Sequence, residues 1–136
     1  MLEVDPVEPS ESVIAAAAAA IRRGLVVAIP TDGLYSLVAD PFNLQAVGRV
    51  FAAKGREPAR SLPLLVSELS MAEELCAEVS ARFRVLARVF WPGPLTIIVP
   101  ASPKVPLRAT GNTGRLGCAT PVRRWRRRCS SGCSSR

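Results

Sequence analysis

Apolar residues run along the chain in short blocks, separated by glycine, proline and small polar residues, and the blocks have two different periods. Val13–Arg23 is alanine-rich and strongly helical. Ser10 stands at its N-cap position and Gly24 is a natural stop. "LVVAI" (Leu25–Ile29) is a β-branched run suited to a buried strand, which Pro30 ends. "TDGLYSLVAD" (Thr31–Asp40) reads as a loop leading into a short strand. Asn43 then caps a helix over Leu44–Lys54 with Val47, Val50 and Phe51 at core spacing, and Gly55 closes it. "LPLLV" (Leu62–Val66) predicts the next strand. Ser70 to Glu73 has the form of a capping box and predicts a helix to about Val79. Ser80 caps another helix to Phe90, "WPGP" (Trp91–Pro94) makes a rigid turn, and "LTIIV" (Leu95–Val99) is a third clear strand. Pro100–Thr113 reads as a polar loop. Strands alternating with helices in this order predict an α/β domain, with helices packed on a sheet.

Composition changes the picture in one respect. The net charge of +7 suggests a nucleic-acid binder, but residues 1–114 carry eleven cationic and eleven anionic side chains, while residues 115–136 carry seven arginines and no acid. The excess belongs to the tail. Three of the four cysteines, Cys118, Cys129 and Cys133, crowd the same end, and Cys76 alone lies in the body as a small buried residue. Their spacing fits no zinc site and there is no histidine to complete one. The acidic N-terminus resembles neither a secretory signal nor a transit peptide, no apolar run reaches the ~20 residues of a membrane span, and a cytoplasmic protein is expected.

Two stretches carry candidate chemistry. In "FAAKGREPARSLPLLV" (Phe51–Val66), Lys54, Arg56 and Arg60 lie on a short loop between a helix and a strand. They read either as a solvated face or as an anion clamp, since guanidinium offers a planar fork and ammonium a movable point charge to phosphate oxygens. In "PTDGLYSL", Thr31, Asp32 and Tyr35 are polar groups leaving a buried strand, suited to a ligand or to ordinary turn chemistry. With no histidine, a Ser-His-Asp or Cys-His triad is excluded, and no Walker-type loop is present. Phosphate chemistry here would run on arginine, lysine, hydroxyls and a metal ion carried in by a nucleotide.

Taken together and in order, "PTDGLYSLVADPFNLQAVGRVFAAKGR", "LPLLV" and "FWPGPLTIIVP" resemble the YrdC-like domain of threonylcarbamoyl-AMP synthases over about Ala15 to Gly117. The resemblance implies a twisted open mixed sheet with flanking helices and a concave, electropositive ligand face. It implies an enzyme that takes L-threonine, bicarbonate and ATP, with magnesium accompanying the ATP. The products would be pyrophosphate and threonylcarbamoyl-adenylate, and a downstream complex would pass the threonylcarbamoyl group to tRNA in t6A37 modification. By the same resemblance Lys54, Arg56, Arg60 and Arg115 would bind ATP, and Thr31, Gly33, Tyr35 and Leu65 would bind threonine, with no covalent intermediate and no protein-held metal. Double-stranded RNA or tRNA binding without catalysis is the alternative implied by the basic face.

Three departures from the family pattern stand out. Gly33 replaces a threonine whose hydroxyl the family uses on the substrate, and Ser36 replaces a glycine. Ser61-Leu62 stands ahead of Pro63. After "TGNTGRLG" the family's Val-Arg-x-Pro and Ser-x-Asn motifs give way to "CATPVRRWRRRCSSGCSSR". These features predict a partial domain over residues 10–117 that lacks its C-terminal part and with it part of its activity, followed by a disordered basic tail over 118–136, with a frameshift near Gly117–Cys118 as the origin. "RRWRRR" would otherwise suit RNA phosphates, with Trp125 stacking on a base, or an acidic membrane surface. A domain so shortened is expected to leave apolar faces and strand edges exposed.

Overall fold

The computed structural model describes residues 4–5, 9–31 and 35–122. Helix α1 (Glu11–Arg22) follows from the alanine run; Ser10 occupies the N-cap position, but its hydroxyl meets Ser12 Oγ at 3.0 Å rather than a backbone amide. Ala18 and Ile21 are its buried side. Strands β1 (Val27–Pro30) and β2 (Tyr35–Val38) form an antiparallel pair, Val27 opposite Val38 and Pro30 opposite Tyr35. The first strand therefore starts two residues later than the apolar run suggests and includes Pro30, which an edge position tolerates because no ladder amide is needed there. Ile29 is the buried centre of this layer, packed by Ile14, Ala17, Val27, Val38 and Leu65.

Helix α2 (Leu44–Lys54) has the bounds its sequence predicts. Asn43 Oδ1 accepts the amides of Gln45 and Ala46, both at 3.1 Å, satisfying two of the donors a helix start leaves open. Ala46, Val47, Val50 and Phe51 form its buried face, and Gly55 ends it in the left-handed region at φ 57.

Strand β3 covers only Leu64–Leu65; Pro63 has no amide to give to a ladder and keeps the predicted Leu62–Val66 run short. Helix α3 (Leu69–Leu75) starts two residues earlier than the Ser70 capping box implies, with Glu68 rather than Ser70 at the N-cap, and stops at Cys76 rather than Val79. The stop has a cause: Ala77 N donates to Pro100 O at 2.9 Å and Ser102 N to Leu75 O at 2.8 Å, so the chain leaves the helix to pair with the end of the next strand. Helix α4 (Ala81–Phe90) is capped by Ser80 Oγ, which accepts Phe83 N at 3.1 Å. Phe83 and Ala87, one turn apart, face the core, and the Phe83 ring meets Trp91 edge-on at 5.8 Å between centroids.

Strands β4 (Thr96–Pro100) and β5 (Arg115–Ala119) pair antiparallel, and β3 joins β5 in parallel, giving the order β3-β5-β4. Both sheets are open. The central strand β5 was not anticipated from sequence, and it crosses the boundary drawn at Gly117. Cys118 and Ala119 thus belong to the sheet, and the described domain reaches Val122, while the predicted tail from residue 123 onward lies outside the described residues. Leu116 and Cys118 are fully buried in the main core with Val66, Ala72, Phe83 and Val99. Cys76 is buried in the same core, as expected. Burial pushes both thiols up, Cys118 to about 12; the neighbouring Cys76 adds to the rise at Cys118, and the Glu73 carboxylate adds to the rise at Cys76.

The segment Pro100–Thr113 is not a loose loop. Thr110 Oγ1 donates to Leu107 O at 2.8 Å and Thr113 Oγ1 to Thr110 O at 2.6 Å, and Val105, Ala109 and Thr110 are buried. Apolar side chains also face solvent: Val85, Val89, Ile98 and Leu107 are each at least 60% exposed. Among the described residues no helix is long and apolar enough to cross a membrane.

Candidate functional site

A cavity of about 1000 Å³ lies between the α1–β1–β2–α2 half and the β3–α3 half. Lys54, at the C-terminus of α2, lines it on one side, and Leu65 of β3 lines it on the other. A helix C-terminus is electronegative, so Lys54 is held there by the backbone it ends and can still reach outward. Ser36, Asp40, Glu74, Arg22 and Lys104 add polar lining. The charged lining thus has three cations and two carboxylates, a modest positive balance. Asp40 is partly occupied as a turn former, since its Oδ1 accepts Phe42 N at 2.9 Å.

The cationic loop borders this cavity. Arg56 is half-buried and folds back on its own loop: Nη2 donates to Ser61 O at 2.9 Å, while Nε is buried with no hydrogen-bond partner. An unpaired buried guanidinium N–H is costly, which makes it a ready donor to an incoming acceptor oxygen. Arg60 is solvent-exposed and pairs loosely with Glu57, Nε to Oε2 at 3.6 Å. An exposed pair at that length is worth under about 1 kcal/mol and gives way readily to a stronger anion.

The remaining sequence-selected residues are distributed differently. Thr31 Oγ1 accepts a hydrogen bond from Ser36 Oγ at 3.3 Å, which ties the residue after β1 to the cavity wall through Ser36. Tyr35 is 77% exposed and does not line the cavity. Gly33 lies outside the described residues. Arg115 is exposed at the start of β5, opposite Pro100, and is not in the cavity lining. The structure therefore brings Lys54 and Leu65 to the cavity, sets Arg56 and Arg60 on the adjoining loop, and leaves Tyr35 and Arg115 away from it.

Two features were not legible in sequence. Lys104 enters the lining from the proline-flanked turn "SPKVP", which has no periodicity to orient it. Arg108 lays its guanidinium over α2 at Gly48: a Cβ built there would come within 3.0 Å of Arg108 Nη2. Among the described residues no three His, Cys, Asp or Glu side chains come together as a metal site.

An open α/β architecture with this cleft and cationic loop has clear relatives. The chain belongs to the Sua5/YciO/YrdC family, whose model, described as Telomere recombination (Sua5_yciO_yrdC), matches residues 19–132. It is 38% identical over 106 residues to the threonylcarbamoyl-AMP synthase of Pyrococcus abyssi, an alignment covering 78% of this chain and 31% of that protein. It is 37% identical over 100 residues to the threonylcarbamoyl-AMP synthase of Halorhodospira halophila, covering 74% of this chain and 52% of that protein. Among solved structures, P. abyssi Sua5 complexed with L-threonine superposes with a TM-score of 0.88 at 33% identity, over 93% of this chain and 37% of that one. E. coli YciO, at 21% identity, shares the fold with a TM-score of 0.84 over 96% of this chain and 63% of that one. The chain spans between about a third and a half of the length of these curated relatives.

Proposed function

We propose that this chain forms the nucleotide-phosphate and part of the threonine side of a threonylcarbamoyl-AMP synthase site. The observation that carries this reading is the orphaned Nε of Arg56, on a loop that begins with cavity-lining Lys54, in a chain of this family. Lys54 and Arg56 would hold the phosphates of ATP, taken up as its magnesium complex, and Arg60 would release Glu57 to add a third cation. Leu65 and Thr31 would face threonine. The threonine amine takes up carbon dioxide from bicarbonate to give a carbamate, and the amine proton leaves with the bicarbonate hydroxyl as water. A carbamate oxygen forms a bond to the α-phosphorus as the bond to pyrophosphate breaks. The cations offset the charge that develops on the leaving pyrophosphate, so that positioning and electrostatics supply most of the rate. A separate transfer step would then place the threonylcarbamoyl group on tRNA.

Threonine- and bicarbonate-dependent release of pyrophosphate from ATP tests this. Release that requires both co-substrates is expected. Nucleotide binding without any release would reduce the chain to a binding unit. The seven arginines of residues 115–136 favour a second reading, a non-catalytic RNA-binding module. RNA affinity that falls steeply with salt, in the absence of turnover, would support it.

A further inference from the structure

We propose that the turn block Ser102–Thr113 sets the position of the cationic loop, and that Gly111 is the positioning residue on which this depends. The inference rests on the reading of Lys54, Arg56 and Arg60 as a polyphosphate clamp and adds what holds that clamp in place. Gly111 has φ 59, and a Cβ built on it would fall 2.7 Å from Ala59 O and 2.8 Å from both Ala59 C and Arg60 C. These are backbone atoms, so nothing can swing aside as a side-chain tip would. The loop that carries Arg56 and Arg60 therefore rests directly on the backbone of residue 111. Next to this contact, Leu62 N donates to Ala109 O at 2.9 Å. One residue before Ala109, the Arg108 guanidinium lies on α2 at Gly48.

The block is itself anchored. Thr110 is 1% exposed, its hydroxyl is bonded to Leu107 O, and Ser102 N is bonded to Leu75 O at the end of α3. The brace thus links the main core to the loop bearing the cations. A methyl group at residue 111 would have to push the Ala59–Arg60 backbone away by several tenths of an ångström. A phosphate clamp is sensitive to such shifts, since a displacement of about 1 Å in a positioned group can cost about a hundredfold.

Gly114 supplies the control. It has φ 65, the same left-handed backbone, but a Cβ there would meet nothing within 4 Å. Gly111→Ala and Gly114→Ala thus share the backbone strain and differ in the clash. ATP affinity by calorimetry and amide hydrogen exchange at Arg60 and Leu62 are measured on the full chain. Gly111→Ala is expected to weaken ATP binding at least about tenfold and to speed exchange at those two amides, while Gly114→Ala leaves both close to the parent. Gly111→Ala behaving like Gly114→Ala in both would overturn the proposal. If the parent chain binds no ATP, the clamp reading fails by itself. The brace is then decided on exchange alone: acceleration confined to Arg60 and Leu62 supports it, and unchanged exchange overturns it. If Gly111→Ala does not fold, Arg108→Ala loosens the block without crowding the backbone. Faster exchange at Arg60 and Leu62 in that variant supports the brace, and unchanged exchange overturns it.

Discussion

The two sheets of this molecule are held by different means. The β3-β5-β4 sheet is built around Leu116 and Cys118, both fully buried, with Val66, Phe83 and Val99 packed about them. The β1–β2 pair has one buried centre, Ile29, whose neighbours are only partly covered. The polar and charged groups of the candidate site lie where these two layers meet, on α2, the loop after it and the rim of the cavity. The heavily packed layer supplies stability, and the lightly packed layer leaves room for groups that an apolar core would reject. Leu65 touches both, since it belongs to β3, packs against the Ile29 cluster and lines the cavity.

The largest effect that sharpens this contrast comes from cutting each centre in turn. Leu116→Ala is expected to lose about 3–4 kcal/mol in urea denaturation, and Ile29→Ala about 2 kcal/mol, because partly exposed neighbours can close over the smaller gap. Equal losses, or a reversed order, would break the contrast. Alkaline pH comes next. The folded pKa of Cys118 is raised from an ordinary 9.0 to about 12. The unfolded chain therefore gives up this proton first as pH rises. The stability it contributes is complete below about pH 9 and is lost progressively toward pH 12. At pH 10 the loss from this thiol is on the order of 1 kcal/mol, and Cys118→Val should flatten that part of the pH profile in thermal melts. Asn43→Ala follows, at about 1 kcal/mol for a cap that accepts two amides, read as a lower melting temperature with the sheet signals kept. The smallest effect is Glu73→Gln, which takes the charge from the 2.7 Å pair with Arg84 Nε while leaving an acceptor oxygen. A loss of only a few tenths of a kcal/mol is expected in chemical denaturation.

What could be read from the chain divides along physical lines. Helices α2 and α4 were legible because their signals are local: Asn43, Gly55 and Ser80 each act within four residues of where they stand. The strand Leu64–Leu65 and the end of α3 were misjudged because proline and long-range pairing with Pro100 and Ser102 override the local pattern. Strand β5, "RLGCA", has almost no alternation to detect, since Leu116, Gly117 and Cys118 are buried in succession between two neighbouring strands. Its assignment to a tail followed from the change in composition beyond it. In the candidate site, the cationic loop was legible as a cluster of Lys54, Arg56 and Arg60. The folding back of Arg56, the exposure of Tyr35 and the contact of Arg108 with Gly48 depend on residues that only the tertiary structure brings together.

The central claim is that the loop after α2 grips the polyphosphate of a nucleotide. Calorimetric titration of magnesium-ATP into the chain and into its Lys54→Ala/Arg56→Ala variant tests it most directly. Saturable binding that weakens at least about tenfold in the variant, with its melting temperature little changed, is the expected result. Equal ATP affinity in the two proteins would contradict the account.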